Sequence, residues 1–421
     1  MRRVATRYAN RFSKLVSNEI TLMTVAATNQ SSSFKEFTAS GKAGGIVLMV
    51  STLIAISLAN SAVGSDYLRL WQQSVGGLRI EQWVNDALMA VFFLLIGLEL
   101  ERELINGELS SLKNALLPIV AAVGGICVPA LLHASLNGGT STQSGVGIPM
   151  ATDIAFALGI LALLGNRVPA SLKVFLAALA VMDDLGAIIV IAVFYTAKLS
   201  VAYLLAALVV FVLLLCLNRW LRVMTLAPYL IGGAVLWFFM LKSGVHATIA
   251  GVLLAFAIPF SAKQDDALSP SHRLEHWLHK PVAFIILPIF ALANTGIVIS
   301  AGWAENLLSR NSLGILAGLV IGKPLGIVLA CFLAVAIGIC ALPRDLQWRH
   351  VVGAGLLGGI GFTMSIFITN LAFTGQTDVI NASKVAILLA SLTASVIGFV
   401  WLVLFGTVRK PEADVRASAP D

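Results

Sequence analysis

Long apolar runs separated by short polar loops fill most of the chain. A run of about 20 apolar residues matches the roughly 30 Å hydrocarbon core of a bilayer at about 1.5 Å per helical residue. Twelve such runs can be placed, at 43–62, 86–105, 115–136, 146–165, 171–196, 200–217, 226–241, 243–259, 281–300, 312–338, 350–374 and 382–407. The seventh and eighth are short and nearly fused, so eleven is the other count the pattern allows. The prediction is an all-α polytopic membrane protein. One loop departs from it: Tyr67 to Gln72 and Leu78 to Trp83 alternate apolar and polar residues around Gly76-Gly77, which predicts a small external β-hairpin.

Basic residues set the orientation, because cytoplasmic loops are enriched in them. With the N-terminus inside, and with Arg102, Lys173 and Lys384 near the ends of their runs counted with the adjoining loops, 21 of the 28 Lys and Arg residues fall in inner segments, six fall in outer loops, and Lys323 lies deep within a span. Both termini are therefore expected in the cytoplasm. The expected organisation is an N-terminal cytoplasmic extension, 1–42, a membrane domain, 43–407, and a cytoplasmic tail, 408–421. The extension has no apolar core long enough for a signal peptide. An exposed strand edge in the hairpin 67–83 can pair with a copy of itself, which predicts a homodimer through that element.

Composition agrees with this picture, with 58% hydrophobic and 12% charged residues against roughly 25% charged in soluble domains. The net charge of +7 is spread over short loops, so it encodes topology and not affinity for nucleic acid. Cys127, Cys216, Cys331 and Cys340 fall in apolar stretches at no metal-like spacing, and no cofactor is expected.

Ionisable residues inside spans stand out against this background. Asp183 and Asp184 are adjacent at the middle of the fifth run, Asp153 follows Thr152 in the fourth, and Lys323 lies within the tenth. One buried aspartate costs about 2.5 to 3.5 kcal/mol on insertion scales, so a pair requires a reason beyond packing. Buried charges of opposite sign pair, which makes Lys323 the natural partner of one aspartate. Two of the runs also look interrupted. The fourth has Gly147-Ile148-Pro149 before Thr152-Asp153, and the eleventh has Gly353, Gly355, Gly358-Gly359 and Gly361 before Phe362-Thr363. Glycine and proline weaken the helix ladder, although membrane glycines also serve as close-packing sites. Unwound segments leave helix ends, with partial charges of about ±0.5, facing the membrane interior. Asp153 suits the positive ends and Lys323 the negative ones. His246 reads as a hydrogen-bonded core histidine.

Carboxylates are hard oxygen ligands suited to small cations. Desolvation and mutual repulsion favour the protonated form of a carboxylate, so the same oxygens can hold a proton or a cation. Competition between the two is the physical basis of exchange. An intramembrane aspartyl protease would carry Gly-x-Gly-Asp, and a channel a carbonyl filter such as Thr-Val-Gly-Tyr-Gly; neither is present. A transporter is expected, not an enzyme.

Five stretches carry a family resemblance: Ala151 to Gly159, Asp183 to Ile188, Leu241 to Thr248, Gly322 to Gly326 and Gly359 to Ser365. In sequence and order they resemble the bacterial NhaA-type Na+/H+ antiporters, from about Ser40 to about Leu404. The resemblance implies about twelve transmembrane helices with inverted-topology repeats, the fourth and eleventh interrupted and crossing near the ion site. Paired interruptions mark the sites of such transporters, a rule drawn in part from this same family. The resemblance further implies exchange of cytoplasmic Na+ or Li+ for external H+ across the bacterial inner membrane, serving sodium and pH homeostasis and salt tolerance. Asp184 would be the principal ligand, Asp183 its neighbour paired to Lys323, and Thr152 and Asp153 would shape the site. Sensing of pH maps to Glu99, Arg102, Glu103, Glu275, His276 and His279, where Glu101 and the acidic loop Lys263 to Asp266 depart from the family's pattern. A proton-coupled carrier of another small solute on the same fold is the alternative.

Overall fold

In lipid a segment must satisfy its own backbone polar groups, and the helix is the simplest way to do so. The computed structural model describes residues 43–195, 199–261, 269–299 and 303–406. The expected extension 1–42, the tail 408–421 and the acidic loop lie outside them. Helix α1 (Ala43–Ala59) turns by 113° into α2 (Gly64–Gln72). A short ribbon follows, β1 (Ser74–Val75) antiparallel to β2 (Leu78–Arg79), and then α3 (Ile80–Ile105) and α4 (Asn114–Asn137). A 3-10 helix, Gln143–Met150, and extended residues 151–153 lead into α5 (Ile154–Leu163). Next come α6 (Ala170–Phe194), α7 (Val201–Arg219), α8 (Leu226–Ser243) and a short α9 (Ile249–Ala257). After α10 (Pro270–Asn294) and α11 (Arg310–Ala336), α12 (Trp348–Gly358) and α13 (Phe362–Ala372) are bent by 45°, and α14 (Thr377–Phe405) completes the bundle.

Among the described residues nine helical stretches are long and apolar enough to cross a membrane, or up to eleven if each bent pair is one span. The chain is a mostly helical, multi-pass membrane protein. The run at 243–259 differs most from expectation. Its helix has nine residues, about 13 Å at the helical rise. Gly244 takes a left-handed φ of 86° that ends α8, and the Ser243 hydroxyl accepts from the Val245 N–H at 3.2 Å to fix a turn. The hairpin is also smaller than predicted. Tyr67 to Gln72 lies in α2, where Tyr67 and Trp71 stack edge to face one turn apart and the Tyr67 hydroxyl donates to Leu292 O at 2.5 Å. The turn and the start of the second strand at Leu78–Arg79 are as expected, with Gly76 and Gly77 at φ 62° and 86°, the left-handed pair that a two-residue type I′ loop requires.

Glycines set how closely the central helices approach. Where α4 crosses α11, a Cβ on Gly124 would strike the carbonyl of Gly326, and one on Gly326 would strike Gly124. The glycine run of α12 packs as well as breaks: a Cβ on Gly355 would meet Pro324 at 3.1 Å. These contacts hold α11 against both α4 and α12. Proline then shapes α11 locally. Pro324 offers no N–H to the preceding turn, and the ladder widens into a π-helical turn at Gly318–Gly322 immediately before Lys323. By contrast α7 and α8 stand at the rim, exposing Leu205, Val209 and Ile231 where lipid would cover them.

Gly124→Ala should therefore destabilise the bundle by about 1–3 kcal/mol through overpacking. Gly45→Ala, whose Cβ would meet only Ala155 O at 3.7 Å, should be nearly neutral. Thermal unfolding of the two variants in detergent checks this; equal midpoints would refute the close-crossing argument.

Candidate ion site

The two breaks face each other at the centre of the bundle, and their ends are neutralised by side chains. Asp153 is the N-cap of α5, its Oδ1 accepting from the Phe156 N–H at 2.9 Å. Its Oδ2 accepts from the N–H of Thr363 at 3.1 Å and from the Thr363 hydroxyl at 2.5 Å, at the start of α13. One carboxylate thus caps two helix N-termini, where partial positive charge collects. The Asp153 N–H in turn donates to Ile360 O at 2.6 Å, tying the extended strand of one break to the other.

The opposite ends present carbonyls. Lys323 donates to Met150 O, at the end of the 3-10 helix, and its Nζ lies 2.8 Å from Asp183 Oδ2, with both side chains fully buried. The Thr152 hydroxyl lies 2.6 Å from the same Asp183 oxygen and 2.8 Å from Gly358 O, the last carbonyl of α12. A hydroxyl has one proton to donate, so it serves one of these two acceptors at a time. Asp183, Thr152 and Lys323 are therefore one connected network reaching α6, α11 and a carbonyl of each break, while Asp153 separately ties the two breaks together.

Asp184 is different. Successive helical residues point about 100° apart, so Lys323 can engage only one member of the doublet. Both oxygens of Asp184 and Oδ1 of Asp183 are buried and meet no hydrogen-bond donor among the described residues. Asp184 also lies in the field of Asp183, Asp153, Lys323 and Glu99. These three buried carboxylate oxygens without donors are hard-oxygen ligands, the donor type that small alkali cations and protons both seek. A cavity of about 80 Å³ reaches Asp153 and Thr363 from Glu99 and His279.

The second predicted cluster assembles between α3 and α10. Arg102 Nε lies 3.1 Å from Glu275 Oε1, and its Nη2 lies 3.1 Å from Glu103 Oε1. His279 Nε2 is 3.6 Å from Glu99 Oε1 and 3.7 Å from Glu275 Oε1. His276 is exposed, one residue and about 100° round the helix from Glu275. The sequence offers no resemblance that marks His272, yet its Nδ1 faces Glu275 Oε2 at 3.8 Å; Glu101, expected in this region as a departure from the family's pattern, accepts from the Ser271 hydroxyl at 3.4 Å. The spacing of His272, Glu275 and His279, three and then four residues apart on a helix, was the available signal. Thr363 was likewise quoted only as part of a motif; its place at a helix start beyond a glycine break marked it as a cap partner. His246 bonds Tyr195 O at 2.9 Å, in keeping with a core histidine.

The family model for Na+/H+ antiporter 1 matches residues 35–402. A protein named Na(+)/H(+) antiporter NhaA from Dechloromonas aromatica is 71% identical over 90% of this chain and 97% of its own length. Relatives with the same name from Cytophaga hutchinsonii, 59% identical over 90% of this chain and 96% of theirs, and Mesorhizobium japonicum, 50% identical over 88% and 94%, cover the same membrane domain. With a family match across most of its length and these identities, the chain belongs to the Na+/H+ antiporter 1 family.

Proposed function

We propose that this protein exchanges cytoplasmic Na+ or Li+ for external protons across the bacterial inner membrane, serving sodium and pH homeostasis. The observation that carries the proposal is the unlike pairing of the doublet: Asp183 is held by Lys323, whereas both oxygens of buried Asp184 have no donor. Asp184 is then the principal ligand for cation or proton, and Asp183 is the second acidic group. Deprotonation of Asp184 and of either Asp183 or Lys323 would release two protons per monovalent cation and make exchange electrogenic. Thr152 and Asp153 hold the helix breaks around the site. The names of the relatives favour Na+ over another solute as cargo.

In this reading the chain makes twelve passes in two inverted repeats with both termini cytoplasmic, supported by the placement of Lys and Arg and by the backbone breaks at 151–153 and 359–361. The groups Glu99, Arg102, Glu103, Glu275 and His279 form the pH-sensing cluster, with His276 at its exposed edge. Imidazole titrates near neutrality, which suits the role. The exposed side chains Leu70 and Val75 around the ribbon support a homodimer through 67–83.

Everted membrane vesicles holding a pH gradient should lose it when Na+ or Li+ is added, and Asp184→Asn should abolish the response; a full response in that variant would sink the assignment. For sensing, His279→Ala should move the pH profile of exchange while leaving its maximum near normal, and an unmoved profile would remove that residue from the cluster. Deleting Leu70 to Ile80 should reduce the particle mass in detergent to that of one chain. Retention of the dimer would exclude the ribbon as its interface.

A further inference from the structure

The α3–α10 cluster has a second property besides its titratable groups. Glu99, Glu275 and His279 each present a ligand atom, and these atoms lie within 4.8 Å of one another. His272 stands beside the other oxygen of Glu275. The nitrogen-to-oxygen separations of 3.6, 3.7 and 3.8 Å exceed hydrogen-bond distance. They approach the roughly 3.3 Å ligand-to-ligand edge of a tetrahedral ion with bonds of about 2.0–2.1 Å. Glu275 supplies an independent sign: its side chain is 6% exposed, and its Oε2 is buried with no hydrogen-bond partner. We propose that Glu99, Glu275 and His279 form an inhibitory site for a first-row transition-metal dication, with His272 at its edge beside Glu275.

Imidazole with carboxylate selects ions such as Zn2+ over Mg2+ or Ca2+, which prefer all-oxygen shells. Two carboxylates balance the charge of the ion. Arg102 is the competitor, since it holds Glu275 Oε1 at 3.1 Å, but at 36% exposure its guanidinium can turn to water and release that oxygen. His272, 44% exposed, gives the ion an approach from the aqueous side. A bound ion would link α3 to α10 in the wall of a cavity that Glu99, His279, Asp153 and Thr363 line together. Occupancy would fasten the two helices to each other beside the helix break at Asp153. Inhibition rests on the proposed exchange activity, whereas binding does not.

Equilibrium dialysis of Zn2+ against the purified full-length protein in detergent tests the site directly. One ion per chain is expected, with His279→Ala and Glu275→Gln each weakening binding by at least ~10-fold and Arg102→Gln strengthening it. A gain of affinity cannot come from misfolding, so the Arg102 variant guards against trivial loss. Absence of stoichiometric binding, or binding indifferent to all three substitutions, would overturn the site. In vesicles Zn2+ should inhibit the wild type and spare His279→Ala; binding without inhibition would overturn the inhibitory role. Wild-type vesicles with no Na+ response at all would count against the exchange reading and leave the dialysis result standing.

Discussion

Two backbone interruptions meet in the buried centre of the bundle, where protein groups satisfy the helix ends they expose, and the rest of the site follows from that constraint. Each break leaves N–H groups on one side and carbonyls on the other. Asp153 takes the N–H groups of α5 and α13 together, and Lys323 and Thr152 take the carbonyls of Met150 and Gly358. Replacing any of these groups with an apolar one would leave a buried backbone dipole unsatisfied, at about 1–3 kcal/mol. The charged residues are thus required by the backbone before any ion is considered. That requirement explains why a lysine can be held in the bundle at all: it has both a carbonyl and a carboxylate within reach.

The same arrangement divides the doublet. A single lysine cannot neutralise two carboxylates pointing about 100° apart, so one aspartate is paired and its neighbour is left in a field that contains Asp153 and Glu99 as well. A buried carboxylate without donors can lower its energy by taking a proton or a cation. The network gives Asp183 a different situation. Its Oδ2 is shared between Lys323 and Thr152, and the threonine hydroxyl has Gly358 O as a second acceptor. Loss or gain of charge at Asp183 therefore acts on the last carbonyl of α12 through one hydroxyl proton, and so connects the ion site to the geometry of a break.

Much of this was legible in the sequence, and the reasons differ by feature. Mid-membrane charges are costly enough that Asp153, Asp183, Asp184 and Lys323 stand out without any structure. Glycine and proline act locally, so the non-helical residues 151–153 and the 45° bend between α12 and α13 fall beside the Gly and Pro residues of the sequence. What could not be read was which backbone groups the side chains would meet: Met150 O and Gly358 O are distant from Lys323 and Thr152 respectively in sequence, and only the packing of α11 against α4 and α12 brings them together. The ribbon is shorter than the sequence pattern implies for a different reason. Tyr67 and Trp71 satisfy a strand's period of two and a helix's four-residue spacing equally well over so short a run, and a contact with Leu292 on α10 supports the helix. The apolar run at 243–259 is longer than its helix because hydrophobicity continues across the Ser243-Gly244 turn while the helix does not.

The glycine contacts and the hydrogen bonds of the breaks place different demands on the bundle. Where α4 crosses α11 the backbones touch, and such an interface has no intermediate positions to occupy. Lys323 sits one turn from that crossing, so its position is fixed relative to α4. The attachment between α5 and α13 is polar instead, made through Asp153, Thr363 and the Ile360 carbonyl, and hydrogen bonds of that kind can be exchanged for others as charge changes. A fixed cation beside a rearrangeable anionic junction gives the site one rigid wall and one adjustable one. Glu99 and His279 line the same cavity as Asp153 and Thr363, so the α3–α10 cluster and the adjustable wall border one space.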